Sequence, residues 1–440
     1  MKNITDILFF FILIAGSVIL GRFVSVEPTG LPVYFIIGFL AVGLSLLDMR
    51  IAVGFLVMSM LLSPEIPIAG VPRRAVVIRF DDLLLIIIFI SWLAKQAVNK
   101  KLPLLKASPI NKYIFYYVAA CFLFTGKGIL MGNVDYRQAV FYLLKYLEYF
   151  MIFWMTYNVI NKKEDINIIL KFFLITAVII IVHSYFIFPE RMYAPFDQEP
   201  ASVGGYFLIL TGLSLGLAIF NKKNYYKIFY TAVLVSLLPL IIFTQSRATY
   251  AGIPALYITV VALTTKYKKM LLLAGIGAVV LLPVVLGGGL YDTLIERISY
   301  TFTGGSGTYG LDPSSAARIT SWRTHLLQNF PRRPLTGWGV TGRGFIDSQY
   351  VRTLVELGLI GFFAFALLKY KIVKYSVKIY KLLDNNWYKG LVIGFIGATA
   401  GLFMHATTSN TFIIVRIMGP FWFVTAIVLS LPRVLGKELK

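Results

Sequence analysis

The chain has 440 residues, of which 58% are hydrophobic and 14% charged. A soluble domain carries about 25% charged residues, and the apolar residues here come in long unbroken runs, so a soluble globular class is excluded, as is a barrel of alternating strands. The net charge of +22, from 42 Lys and Arg against 20 Asp and Glu, would point to nucleic acid in a soluble protein. In a chain of apolar runs it is first a topology signal, and no nucleic-acid partner is expected.

Runs of about 18 or more apolar residues are membrane-spanning helices, because backbone polar groups in lipid must be paired within the segment. The runs place spans near 4–21, 29–47, 51–69, 82–98, 110–131, 138–160, 166–188, 200–220, 226–243, 248–264, 270–289, 351–370, 388–408 and 411–431. The fold expected is an all-α polytopic membrane protein of about 12–14 spans with one large outer loop. The uncertainty in count lies at the third span, which Pro64, Glu65 and Pro67 interrupt; with the second it could instead form a shallow hairpin. The first run starts after Met1, Lys2 and Asn3 and lacks a small-residue cleavage motif, so it reads as a retained helix.

Loop charges orient these spans. With a cytoplasmic N-terminus, alternate loops hold Lys95, Lys100, Lys101 and Lys106, then Lys162 and Lys163, then Lys222, Lys223 and Lys227, then Lys266, Lys268 and Lys269, then Lys369, Lys371, Lys374, Lys378 and Lys381. The C-terminal Arg433, Lys437 and Lys440 fall on the same side. This positive-inside pattern predicts a multi-pass protein with both termini in the cytoplasm. The opposite loops are basic through arginine: Arg22, Arg73, Arg74, Arg79, Arg137, Arg191, Arg247, Arg297, Arg318, Arg323, Arg332, Arg333, Arg343 and Arg352, with Lys127 their one lysine. The planar guanidinium suits bidentate contact with phosphate or carboxylate, so the outer face is expected to bind a phosphorylated or acidic ligand. The blander reading is arginines snorkelling to lipid headgroups.

Cys121 is the one cysteine, so no intrachain disulfide and no thiolate metal site are expected. Three domains follow: a transmembrane bundle over 1–289, an extracytoplasmic loop over 290–350 and C-terminal helices over 351–440. The loop opens with Tyr291, Asp292, Glu296 and Arg297, followed by a Gly/Ser/Thr-rich stretch from Thr301 to Tyr309. Asp312-Pro313-Ser314-Ser315 reads as a helix start with Ser314 or Ser315 as N-cap, the helix running to about Asn329 before Pro331 and Pro334. On it Arg318, Trp322 and His325 share one face and Arg323 points elsewhere. Gly337-Trp338-Gly339-Val340-Thr341-Gly342 matches G-x-G-x-x-G, but with no βαβ unit it is a glycine-rich turn through which backbone approaches a ligand or a helix. Elsewhere the four-residue loop Thr244-Gln245-Ser246-Arg247 holds its charge at the membrane surface.

Four stretches resemble the O-antigen polymerase and ligase family of membrane glycosyltransferases, of GT-C-like architecture. They are Ser246-Arg247-Ala248-Thr249-Tyr250-Ala251-Gly252; Arg318 to Trp322; Asn329-Phe330-Pro331-Arg332-Arg333-Pro334-Leu335-Thr336-Gly337-Trp338-Gly339; and Gln349 through Val355-Glu356-Leu357-Gly358-Leu359-Ile360-Gly361. The large outer loop followed by three spans fits as well. The resemblance covers residues 240–430 well and the first half loosely. It implies transfer at a glycan hung from undecaprenyl pyrophosphate, with no nucleotide sugar, no cofactor and no catalytic metal, in the bacterial cytoplasmic membrane, with membrane lipids and a polysaccharide chain-length regulator as further partners. The family's essential arginines map onto Arg247 and Arg318. Ligases of the family carry a histidine ahead of the last-but-two span, where this chain reads Ile346-Asp347-Ser348-Gln349-Tyr350. That departure favours a polymerase, with Asp347 as substitute base.

The chemistry fits this implication. Departing pyrophosphate develops negative charge that fixed guanidiniums stabilise, a role for Arg247 and Arg318. An attacking hydroxyl needs a base, a role for Asp347, which is equally placed to be a helix cap; His325 is the other choice. Substrate contacts are expected from Arg323, Arg343, Trp322, Tyr350, His325, Arg416 and the pair Arg73 and Arg74, the latter with Arg79, Asp81 and Asp82; Trp322, Trp338 and Tyr350 are placed to stack on sugars. Lys145 and Glu148, inside a span, form either a functional pair or a self-neutralised one. The rivals are a ligase acting on another acceptor, a lipid-linked oligosaccharide flippase or transporter, and a non-catalytic subunit of an assembly complex.

Overall fold

The computed structural model describes residue 43 and residues 47–63, 65–71, 74–98, 105–188, 190–193, 195, 199–265, 267–303, 308–344, 346–384 and 386–437. The spans expected at 4–21 and 29–47 lie almost wholly outside these. In chain order the elements are α1 (Met49–Leu62), β1 (Glu65–Val71), β2 (Arg74–Arg79), α2 (Phe80–Val98), α3 (Asn111–Leu130), α4 (Tyr136–Val159), α5 (Lys163–Ile187), α6 (Pro200–Phe220), α7 (Asn224–Phe243), α8 (Arg247–Leu263), α9 (Lys268–Thr303), α10 (Pro313–Thr324), α11 (Gln349–Leu382), α12 (Asn386–His405) and α13 (Val415–Val434). Seven of them, α3, α5, α6, α7, α11, α12 and α13, are long and apolar enough to cross a membrane. Among the described residues the protein is thus an all-α polytopic membrane protein apart from one hairpin.

That hairpin corrects the expected span at 51–69. The helix stops at Leu62 and Ser63, ahead of Pro64, is extended at φ −86°, ψ 128°, the conformation that a following proline imposes. Glu65–Val71 and Arg74–Arg79 then pair antiparallel, from Glu65 against Arg79 to Val71 against Arg74, with an irregularity between Pro67 and Ala69. Proline is tolerated in a strand at such a point because its missing N–H is not needed there.

The core is α13, buried along its whole apolar window, with α6 and α12 against it. Close approach of α6 to α12 rests on four glycines: a Cβ on Gly212 would lie 2.6 Å from the Gly394 carbonyl oxygen, and one on Gly216 would lie 2.1 Å from that of Gly390. Small residues spaced in this way let helix backbones touch where lipid offers no hydrophobic drive. At the periphery Phe115, Leu123, Phe186, Val235 and Ile258 are exposed, as side chains facing lipid must be.

Two helices run further than expected. Helix α9 continues through a break at Gly287 (φ 69°) to Thr303, so Tyr291, Asp292, Glu296 and Arg297 are helical. Helix α11 runs 34 residues with a break at Gly358 (φ 63°). The lysines from Lys369 to Lys381, expected in a loop, therefore lie on this helix. Lys369 itself is buried, its ammonium 4.0 Å from the Phe412 ring, 4.9 Å from Phe421 and 5.0 Å from Trp422. Cation–π contacts replace the solvent a loop lysine would have had.

Candidate active site

Helix α7 ends at Phe243 and α8 begins at Arg247. The turn between them places Gln245 in the left-handed region at φ 49°. Ser246 caps α8, its hydroxyl accepting from the Thr249 N–H at 3.4 Å. Arg247 is therefore fixed at the first helical position. Its Nη1 and Nη2 donate to the Asp312 carboxylate at 2.5 and 3.0 Å, and Nη1 also meets the Ser315 hydroxyl. Asp312 in turn caps α10, accepting from the N–H groups of Ser314 at 3.1 Å and Ser315 at 3.3 Å. The expected cap, Ser314 or Ser315, is corrected: Pro313 takes the first helical position, where its missing N–H costs nothing, and pushes the cap back to Asp312. Asp312 is 1% exposed. The Arg247 guanidinium, with the Ser315 hydroxyl, holds its carboxyl far below the usual range against the opposing effect of burial.

Two further arginines point at the same turn. Arg191 Nε donates to the Thr244 carbonyl at 3.3 Å and Arg297 Nε to the Gln245 carbonyl at 3.1 Å. Burial, and then the charges of Arg247 and Arg191, push the Arg297 guanidinium below its ordinary value, with Asp312 the carboxylate that opposes them. Positive charge is in excess here. Neither arginine lies in a motif, and the only signal for them in the sequence was the preference for arginine over lysine in alternate loops.

Arg318, on α10, places Nε 3.5 Å from Asp347 Oδ2, the two side chains 30% and 38% exposed. Ser348, accepting from the Val351 N–H, caps α11. Asp347 is thus not the cap, and its carboxylate is free to face Arg318. Trp322 joins them, donating its indole N–H to the Asp347 carbonyl at 3.3 Å. His325 does not. The helix widens into a π turn over His325–Asn329, and the His325 ring bonds Asn329 at 2.9 Å. Burial and nearby Arg343 hold the imidazole below its ordinary value. Arg323 is exposed at the end of α10.

The glycine-rich turn approaches a helix. Trp338 and Gly339 donate their N–H groups to the carbonyls of Val355 and Glu356 at 3.1 and 2.8 Å, while Leu359 and Ile360 donate to Pro334 and Leu335 at 2.7 and 3.2 Å. This exchange occurs at the break in α11. A Cβ on Gly337 or on Gly358 would lie 2.4 Å from opposing backbone atoms. Glu356, missed as a site residue, accepts from the Thr341 N–H at 2.9 Å and from Arg352 Nε at 3.0 Å, buried on both sides. Trp338 is covered by two cations, Arg333 at 4.2 Å and Arg343 at 3.4 Å from its ring, where a sugar was expected to stack.

Other expected contacts are redirected. Tyr350 donates its hydroxyl to the Phe403 carbonyl at 2.7 Å, tying α11 to α12. Arg416 is 2% exposed and donates to the Pro195 carbonyl, inside the bundle rather than at a substrate surface. Arg73 lies outside the described residues, and Arg74 is placed only by its strand position. Arg79 and Asp81 are buried and turned inward: Arg79 Nη2 lies 3.0 Å from Asp81, 3.5 Å from Asp82 and 3.4 Å from Glu148. Lys145 lies 2.5 Å from Asp82 and 3.2 Å from Glu148, so the expected Lys145–Glu148 pair is part of a five-residue network. Asp81, Asp82 and Glu148 bring oxygens within 4.8 Å of one another, a metal-like spacing. Arg79 and Lys145 already sit on those oxygens, which makes the cluster a salt-bridge network. His405, 0% exposed, bonds the Thr411 hydroxyl at 2.7 Å.

Fold and charge define a multi-pass helical membrane protein with an arginine-rich long loop folded back on its helices. Residues 232–366 match the family model described as O-antigen ligase (Wzy_C), a segment running from α7 through the Arg247 turn, α10 and the glycine-rich turn into α11. No curated protein matches the chain. Over that segment the chain is similar to the O-antigen polymerase and ligase family.

Proposed function

We propose that the protein polymerises lipid-linked oligosaccharide repeat units at the outer face of the cytoplasmic membrane. The donor glycan hangs from undecaprenyl pyrophosphate. A hydroxyl of the acceptor glycan attacks the donor's anomeric carbon, the bond from that carbon to the pyrophosphate oxygen breaks, and the diphosphate leaves with the electron pair. Arg247, with Arg191 and Arg297 around it, meets the diphosphate, Arg318 stabilises the developing charge, and Asp347 takes the hydroxyl proton. Electrostatic stabilisation of this kind is strongest when donors are fixed in advance, and it asks nothing of a metal.

The observation that carries this reading is α10 itself. One 12-residue helix is anchored at its cap by Arg247 and brings Arg318 against Asp347. The arginine-dominated charge of these loops, opposite the lysine-rich ones, supports the outer face and a cytoplasmic C-terminus. Asp347, released from capping, supports a polymerase over a ligase, since ligases resembling this chain carry histidine there and the His325 ring is bonded to Asn329.

Purified protein incubated with undecaprenyl-pyrophosphate oligosaccharide is expected to yield a ladder of longer products. A single transfer to an added acceptor lipid, with no ladder, would instead identify a ligase. Movement of the lipid across a vesicle with no new glycosidic bond would identify a flippase.

A further inference from the structure

The long loop carries a second group of cations that the polymerase reading leaves unused. Arg333 and Arg343 both stack on the Trp338 indole, 4.2 and 3.4 Å from the ring centroid. The indole is buried and pinned by its N–H donating to the Asn329 carbonyl at 2.9 Å, so both guanidiniums rest on a rigid plate. Arg333 Nη1 and Arg343 Nε are buried donors with no acceptor. Lys127 adds a charge to the same turn, its ammonium donating to the Thr336 hydroxyl at 2.9 Å. Among the described residues no carboxylate pairs with Arg332, Arg333, Arg343 or Lys127. The contrast with Arg247 and Arg318, each facing an aspartate, is sharp. Burial, and then the charges of Arg332 and Arg333, press the Arg343 guanidinium below its ordinary value, with no acid opposing them.

This group adjoins the proposed reaction site. Trp322 packs against the cluster of Trp338, Ile346 and Val355 and donates to the Asp347 carbonyl at 3.3 Å. A sugar chain leaving the Arg318–Asp347 pair along the loop meets Trp322 and then the guanidiniums stacked on Trp338.

We propose that Arg333 and Arg343, on the Trp338 plate, form an anion subsite for a carboxylate or phosphate substituent of the glycan, so that the repeat unit is acidic. This rests on the polymerase reading for its substrate and deepens it. Planar guanidiniums held face-on to an indole keep their edges free for bidentate oxyanion contact. Arginines meant only for lipid headgroups would extend into water, as Arg323 does.

The test uses the full-length protein in phosphatidylcholine nanodiscs, titrated with fluorescently labelled tetragalacturonate and with maltotetraose as its neutral counterpart. Tetragalacturonate is expected to bind, more weakly as salt rises, and at least about tenfold tighter than maltotetraose. Arg343→Gln and Arg333→Gln are each expected to cost about tenfold in that affinity, the loss of one charge-assisted contact. Arg247→Ala is expected to leave it unchanged while abolishing binding of inorganic pyrophosphate. Where a Gln variant unfolds at a lower temperature, Arg343→Lys, which keeps the charge and loses the fork, is read in its place. Equal binding of maltotetraose, or unchanged tetragalacturonate binding in the Arg333 and Arg343 variants, overturns the subsite. So does abolition of tetragalacturonate binding by phosphatidylglycerol in the disc, which would assign the cations to lipid. Absent tetragalacturonate binding beside an intact elongation ladder removes the subsite and leaves the polymerase reading standing. A missing ladder beside Arg343-dependent tetragalacturonate binding removes the polymerase reading alone.

Discussion

Arg247 and Asp312 are joined by two parallel hydrogen bonds, and Asp312 is at the same time the cap of α10. One carboxylate thus fastens the loop helix to the start of α8 and satisfies that helix's own first N–H groups. Breaking a buried ion pair by removing one partner costs about 3–5 kcal/mol, and losing an N-cap about 1 kcal/mol. Asp312→Ala should lose both and Asp312→Asn mainly the first. Thermal unfolding in detergent should rank the wild type above Asn and Asn above Ala, and elongation should fall in the same order.

The same pair sets a pH dependence. The folded carboxyl of Asp312 is depressed by Arg247, whereas in the unfolded chain it titrates near about 3.9. A group depressed on folding stabilises fully above its unfolded value and loses that contribution as pH falls toward the folded one. Stability is therefore expected to be flat with respect to this group above about pH 5 and to fall below about pH 4. In Asp312→Asn that part of the acid limb should be missing. An acid limb identical to wild type would show that the pair does not form in solution.

Arg318 and Asp347 make separable predictions. Arg318→Ala removes a fixed donor for the leaving group, an effect of about 100- to 1,000-fold on turnover. Arg318→Lys should not restore it, because an ammonium lacks the planar fork. Asp347→Asn removes the base, an effect of about 100- to 10,000-fold, without disturbing α11, whose cap is Ser348. Single-turnover rates with protein of unchanged melting temperature check both. A stability loss in Asp347→Asn matching that of a cap variant would return Asp347 to a structural role.

Gly337 and Gly358 face each other where the glycine-rich turn meets the break in α11. Both have positive φ, at 64° and 63°, and a Cβ on either would lie 2.4 Å from opposing backbone. A non-glycine residue in such a conformation costs about 1–3 kcal/mol before the clash is counted. Gly358→Ala is expected to detach the turn, raise proteolysis within residues 330–344 and depress elongation, with the remaining spans folded as judged by circular dichroism. Wild-type protease resistance would refute the clasp.

How far the sequence carried can be read from these residues. The helical membrane architecture was legible because long apolar runs have few physical solutions. Arg247 and Arg318 stood out because short motifs surround them. The hairpin at 65–79 was half visible: Pro64 and Pro67 marked a broken helix, but nothing local announced that two short segments would pair. The buried cluster of Arg79, Asp81, Asp82, Lys145 and Glu148 was not legible, since it joins residues 69 positions apart and depends on how α2 packs on α4. Arg191 and Arg297 escaped for the same reason, their partners lying 53 and 52 positions away. The π turn over His325–Asn329 was not foreseen, since a count of i+3 and i+4 spacings gives no sign of it. Lys369 was assigned to a loop because charge normally ends a span, and a shell of aromatic rings on other helices has no signature in its own neighbourhood.

The most direct measurement is the elongation ladder formed by purified protein on undecaprenyl-pyrophosphate oligosaccharide, run in parallel with Arg247→Ala and Arg318→Ala of matched folding and expression. Products of increasing length from the wild type and none beyond the starting unit from either variant are the expected result. Ladders of wild-type length and rate from both variants would contradict the account.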